Sequence, residues 1–264
     1  MTKILPLLAV LLSTGLAQAA DLPSRGLPAS VLAPESVVTS PSWAGFYAGL
    51  NFGAVRADAL EGRGYWIDKA GTYVTIGGSG RSGGASGGFQ FGYNAQMNQI
   101  VYGVELDALL NFVDVNGLAA QYDIKNNVAS DRLKSRTNIP ALTSLRGRLG
   151  YVVGQTLFYV TGGPTVGLIR REVTQVDDNK DYQWLAAGER NSFSKTRLGW
   201  TAGAGVEYQM TGALSLRAQY LFTGLGRPAF HYVGYPYGVI DQGDQHIRLY
   251  QSAVSLGVNY KFGQ

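Results

Sequence analysis

The sequence predicts an all-β fold: an eight-stranded antiparallel transmembrane β-barrel with short periplasmic turns and long extracellular loops. Three observations carry that prediction. The first is alternation. Near the end of the chain Leu256, Val258, Tyr260 and Phe262 fall on one side of an extended strand, and Ser255, Gly257, Asn259 and Lys261 on the other, because strand side chains alternate with a period of two. The same pattern recurs along the chain, as it does when lipid lies outside and a polar lumen inside. The second is spacing: short and long connections alternate strictly, the rhythm of outer-membrane barrels. The third is aromatic placement. Phe46, Tyr102, Tyr151, Phe158, Tyr208, Tyr260 and Phe262 each fall near a strand end that adjoins a short turn or a terminus, so they would form one ring at the periplasmic interface.

The elements follow in order. Met1 to Ala19 reads as a secretory signal: Lys3 is the basic start, Ile4 to Leu16 an apolar core too short to span a bilayer, and Ala17-Gln18-Ala19 a cleavage site. Residues 20–42 read as a flexible periplasmic tail, interrupted by Pro23, Pro28, Pro34 and Pro41. The barrel is expected over residues 43–262. Its first strand runs over about Trp43–Ala54, and its second over about Ala85–Met97. Asn98-Gln99 makes a tight hairpin into the third strand, which sets Tyr102, Val104, Leu106, Ala108 and Leu110 against Gly103, Glu105, Asp107 and Asn111. The fourth strand covers about Ala141–Val152 and turns at Gly154-Gln155. The fifth, about Thr156–Ile169, contains Gly162-Gly163-Pro164, where a bulge or a broken pairing is expected because proline cannot donate to a ladder. The sixth covers about Thr196–Gln209, the seventh follows Thr211-Gly212 over about Ala213–Phe222, and the eighth closes at Phe262. The intervening stretches, about Val55–Gly84, Val113–Pro140, Arg170–Lys195 and the segment before Gln245, are the long loops.

Composition agrees. The chain has 264 residues with 36 Gly, 16 Tyr and 10 Phe, and 15% charged residues, which suits short turns and many strands. No apolar run past the signal approaches the roughly 20 residues of a spanning helix. There is no cysteine, which excludes disulfides, cysteine nucleophiles and a lipidated cysteine. The formal charge is +4 with no dense basic run, so nucleic acid is not an expected partner.

Six charged residues face the lumen by alternation: Glu105, Asp107 and Glu207, and Arg146, Arg148 and Arg217. An eight-stranded interior is just wide enough for side chains to fill it, and buried charges need partners. An ion-pair network plugging the lumen is therefore expected, with a narrow selective channel as the alternative. Gly78-Ser79-Gly80-Arg81-Ser82-Gly83 matches a glycine-rich phosphate motif in form only and reads as a flexible loop. Asp177-Asp178-Asn179-Lys180-Asp181 lacks the Gly and Glu of a calcium loop. His231 and His246 are the only histidines, and no serine stands at the spacing a lipid-modifying enzyme would need, so catalysis is not expected. No cofactor is expected. Phe230 to Tyr237 is an aromatic segment suited to adaptable contact.

At this point the chain resembles a family, the eight-stranded outer-membrane surface-antigen or porin-family barrels of alphaproteobacteria, especially rhizobia and brucellae. The resemblance rests on Ala20-Asp21-Leu22-Pro23, Trp43 to Gly49 (WAGFYAG), Ser144 to Tyr151 (SLRGRLGY), Tyr159 to Gly163 (YVTGG), Gly199 to Tyr208 (GWTAGAGVEY) and Val258 to Phe262 (VNYKF). It implies an outer-membrane location, a role in envelope integrity and surface contact, and lipid and lipopolysaccharide as surroundings. It also implies that Ser255, Gly257, Tyr260 and Phe262 are read by the outer-membrane assembly machinery, and that a mature start at Ala20-Asp21 can be joined to peptidoglycan. A small-solute porin and, more remotely, a lipid A-modifying barrel are the other readings within this resemblance.

Overall fold

A computed structural model describes residues 42–61, 63–67, 72–76, 79–123, 128–175, 190–227, 229–234 and 241–263. The signal reading, the acidic cluster at residues 177–181, and all of the tail reading except Ser42 lie outside these. Twelve strands are present among the described residues: β1 (Gly45–Glu61), β2 (Arg63–Ile67), β3 (Thr72–Ile76), β4 (Ser79–Met97), β5 (Ile100–Phe112), β6 (Asp114–Asp123), β7 (Val128–Val153), β8 (Thr156–Gln175), β9 (Arg190–Gln209), β10 (Leu214–Gly224), β11 (Ala229–Gly234) and β12 (Asp241–Lys261).

Eight of them close on themselves in the order β1-β4-β5-β7-β8-β9-β10-β12, with β12 returning to β1 through an antiparallel ladder from Tyr47↔Lys261 to Glu61↔Ile247. Closure leaves this wall no unpaired edge, which hydrocarbon demands. The outward positions are the apolar ones. Leu50, Phe52, Phe112, Leu198 and Leu256 are each 68% exposed or more, a continuous band that a water-soluble protein would bury. The seven aromatics of the expected ring are all exposed, 46% or more, at the short-turn end. Two of their hydroxyls tie down the turns beside them: Tyr208 donates to Gln155 at 2.7 Å, and Tyr151 donates to Gln99. The turns themselves use the residues that tolerate a left-handed backbone, Asn98 (φ 55°) and Gly154 (φ 60°).

Two sequence expectations need correction. The strands do not stop where the outward-apolar alternation stops. β1 runs to Glu61, β4 begins at Ser79, β7 at Val128, and β8 continues to Gln175. β6 takes over the ladder with β7 from β5, and the β2–β3 hairpin pairs onto β6 on one side and β12 on the other. Beyond the apolar band lipid no longer selects for apolar outward positions, and in Val55-Arg56-Ala57-Asp58-Ala59 the apolar residues face in and the charged ones out, so the outward-apolar pattern stops before the strands do. The same holds for the glycine-rich stretch read as a loop, whose Ser79 to Gly83 open β4. The broken pairing expected at Gly162-Gly163-Pro164 is present on one side: β8 keeps an unbroken register with β9 through Pro164↔Trp200. Its pairing lapses only toward β7, between Ser144↔Thr165 and Gly147↔Gly162, without a shift of register. The shift lies instead between Asn138 and Ala141 of β7, where Pro140 has no N–H to donate.

Candidate functional site: the filled interior of the barrel

The inward parity of the strands determines what meets in the lumen, and it sorts the interior into layers. At the short-turn end Trp43, Val101, Val152, Leu157 and Tyr159 form a small apolar cluster. The charged layer comes next. Toward the outer end Val55, Ala57 and Ala59 of β1, Leu109 of β5, Ile139 and Leu142 of β7, Ile169 of β8 and Leu249 of β12 join a larger apolar cluster. A polar lumen was the sequence expectation, and the outer layer departs from it. Its residues sit at inward positions among alternating neighbours, but aliphatic residues on both faces hide the period.

All six charges expected in the lumen are buried, each at most 4% exposed, and Arg171 of β8, which the sequence placed in a long loop, is a further buried charge at 1%. Glu105 is the hub. Arg217 donates to both its oxygens, at 2.6 Å and 2.9 Å, Arg146 donates to Oε1, and the Tyr47 hydroxyl donates to Oε2 at 2.6 Å. Glu207 is the second centre. It accepts from Arg148, from Ser215, and from Asn259 at 2.7 Å. Asp107 stands 3.0 Å from Arg146 Nε, but in an orientation that leaves both its oxygens and that nitrogen without a hydrogen bond among the described residues. The network therefore divides into a tightly bonded core around Glu105 and Glu207 and a looser ionic contact at Asp107.

Sequence reasoning missed the neutral members. Tyr47 and Tyr159 point inward and flank the arginines: the Arg148 guanidinium lies 3.8 Å from the Tyr159 ring centroid, and that of Arg217 lies 5.5 Å from it, distances at which a cation is held by the ring face. Each tyrosine lies against a glycine directly across the ladder, Tyr47 on Gly92 and Tyr159 on Gly205. A Cβ at those glycines would come within 2.5 Å and 2.4 Å of the tyrosine side chains. Gln90 extends the network, donating to Asn259 at 2.7 Å and accepting from Asn51. The signal that could have found them is parity with outward neighbours: Tyr47 follows Phe46, Tyr159 stands between Phe158 and Val160, and Gln90 between Phe89 and Phe91, and those neighbours are all exposed.

The other residues singled out in the sequence stand apart from this layer. Ser255 and Gly257 lie on the inner side of β12, and Tyr260 and Phe262 meet edge-on with ring centroids 5.3 Å apart on the outside. His231 pairs with Asp244 and His246 with Ala229 along the β11–β12 ladder; their side chains lie outside the described residues, as do Ala20 and Asp21. Among the described residues no cluster of three or more metal-ligating side chains occurs, and no helix is long and apolar enough to cross a membrane.

Comparison with known proteins agrees with this architecture. The family described as the outer membrane protein beta-barrel domain matches residues 7–262. The chain is 29% identical over 250 residues to a 31 kDa outer-membrane immunogenic protein of Brucella melitensis, covering 93% of each chain. It is 32% identical over 204 residues to a 22 kDa outer membrane protein of Rhizobium leguminosarum bv. viciae, covering 75% of this chain and 77% of that protein. Against the crystal structure of the outer membrane protein OprG from Pseudomonas aeruginosa the identity is 13% and the TM-score 0.47, over 84% of this chain and 97% of that one. The chain belongs to the outer membrane protein beta-barrel family, and it is an integral protein of the outer membrane.

Proposed function

We propose that this outer-membrane barrel is a closed structural element of the envelope, its lumen plugged by the Glu105–Glu207 ion-pair layer and its outer extension serving surface contact. The observation that carries this reading is the Arg217–Glu105 pair. β5 and β10 are four strands apart in either direction around the closed order of eight, so the pair bars the lumen across its diameter. Apolar layers above and below it exclude water and raise the energy needed to separate the charges. The reading assigns no catalysis: the relatives are named as outer-membrane and immunogenic proteins, and the charged groups here are engaged with one another.

Planar-bilayer recording of the folded, heat-modifiable protein tests the plug. A silent bilayer is the expected result; discrete, reproducible conductance steps would replace this reading with a small-solute channel. One observation favours that second reading: the unbonded Asp107 oxygens and the Arg146 Nε and Nη1 atoms are groups that water entering the lumen would satisfy. Two further parts of the proposal have separate tests. Attachment through Ala20-Asp21 predicts a muropeptide adduct by mass spectrometry of the native protein. Reading of the closing strand by the assembly machinery predicts that Phe262→Ala slows barrel assembly in cells without changing the stability of the refolded protein.

A further inference from the structure

The outer rim of the barrel carries outward-facing arginines just above the apolar band, and they are unequally neutralised. On β1 and β4, Arg81 pairs with Asp58. On β6 and β7, Arg136 pairs with Asp114, and that hydrogen bond holds the Asp114 carboxyl below its ordinary range.

The β10–β12 sector differs. Arg248 is exposed on β12, and Arg227 is exposed just beyond β10. Gly226, in the left-handed region at φ 72°, accepts the Leu249 N–H through its carbonyl at 3.5 Å, which keeps the Arg227 backbone beside that of Arg248. Arg56 on β1 stands opposite Ser252, two outward positions below Arg248. Among the described residues none of these three arginines meets a carboxylate within ion-pair distance. The outward carboxylate of Asp58 lies opposite Tyr250 and pairs with Arg81 on β4. Directly beneath Arg248 and Arg227 the outward rings of Trp200, Phe222 and Tyr250 form a continuous shelf, with successive centroids 5.6 Å and 5.8 Å apart, and Arg56 flanks it at the level of Phe222, both standing opposite Ser252.

We propose that this sector binds the anionic headgroup of a glycolipid of the outer leaflet. Guanidinium groups grip phosphate or carboxylate oxygens in pairs and with direction. Aromatic rings at headgroup depth present a flat apolar face to sugar rings and to the first methylenes of acyl chains. Two unneutralised arginines above an aromatic shelf, with a third at its side, match both parts of such a molecule. A phosphodiester lipid offers the charge without the sugar, and inorganic phosphate offers the charge alone, so the test separates these sources.

The full-length barrel is placed in phosphatidylcholine nanodiscs doped with lipopolysaccharide or with phosphatidylglycerol, and native mass spectrometry counts the lipids retained on release. The wild type should retain lipopolysaccharide in preference to phosphatidylglycerol. Arg248→Gln and Arg227→Gln should each lower that retention roughly five-fold, and Arg136→Gln should leave it unchanged. Millimolar inorganic phosphate should not displace the glycolipid. Unchanged retention by the Arg248 and Arg227 variants overturns the proposal by removing the arginines from binding. Equal retention of phosphatidylglycerol overturns it in favour of an unselective anionic belt, and displacement by inorganic phosphate overturns it in favour of a simple anion site. The heat-dependent gel shift reports whether each variant is folded. If a glutamine variant does not fold, Arg248→Lys, which keeps the charge but loses the fork, should lower retention by itself. Lipid retention and conductance are independent readouts, so failure here leaves the plugged lumen standing, and the reverse.

Discussion

Arg217 and Glu105, 112 residues apart in sequence, are joined by two hydrogen bonds through the centre of the barrel, at 2.6 Å and 2.9 Å. The backbone register sets Arg217 directly opposite Glu207 on the neighbouring β9. The side chain nonetheless reaches past that partner to the far wall, because Glu207 is already bonded to Arg148, Ser215 and Asn259. Glu105 and Glu207 thus each have their own donors, and the two are cross-braced through the arginines.

Breaking the brace from either side leaves an uncompensated buried charge, which costs about 3–5 kcal/mol. Glu105→Gln should be the worse of the two single changes, since it takes the carboxylate from Arg217 and leaves Arg146 only its looser contact with Asp107. Arg217→Met strands less, because Glu105 keeps Arg146 and Tyr47. The double variant should lose clearly less than the sum of the singles. Urea-unfolding midpoints in detergent, read by the heat-dependent gel shift, measure the cycle; simple additivity would show that the pair is not coupled.

The paired tyrosines predict a second effect. At Gly205 a Cβ would meet the Tyr159 hydroxyl and ring atoms at 2.4 Å and 2.5 Å, and the Ala218 carbonyl at 2.7 Å. Gly205→Val should therefore destabilise the barrel by about 1–3 kcal/mol through overpacking. Trimming the tyrosine in Gly205→Val/Tyr159→Leu should restore part of the loss. The matching experiment at Gly92 and Tyr47 should show less restoration, because removing Tyr47 also removes a donor to Glu105.

The outward face makes a third prediction. Leu256 lies midway along the apolar face of β12 and is 69% exposed. Leu256→Arg should cost about 2–4 kcal/mol in a bilayer, the penalty for a cation near the midplane on the lipid side of a barrel. The same change on a water-facing surface would stay within about 0.5 kcal/mol. Unfolding from lipid vesicles decides between them.

The candidate site was half legible. Glu105, Asp107, Arg146, Arg148, Glu207 and Arg217 stand out in the sequence because a charge on the polar side of an alternating strand has one place to point. Tyr47 and Tyr159 did not, since a tyrosine suits a membrane interface as well as a lumen, and only the register to Gly92 and Gly205 distinguishes the two. Leu109, Ile139, Leu142 and Leu249 were hidden for a related reason. An aliphatic residue on the inner face, beside aliphatic residues on the outer face, reads as no alternation at all.

The sequence by itself determined the fold class, the number of barrel strands, which face meets lipid and six of the charges that enter the lumen. All of these follow from a period-two pattern that the bilayer enforces residue by residue. Tertiary structure decided what the pattern cannot encode: which carboxylate each arginine takes, the apolar layers that seal the charged one, and the strand pairing above the membrane. Partner choice depends on shear and distance across a closed barrel, so Arg217 bonds Glu105 four strands away rather than the Glu207 beside it. Above the apolar band, where lipid no longer constrains one face, the chain remains in strands because backbone ladders continue to pair, and the outward-apolar pattern ceases to report it.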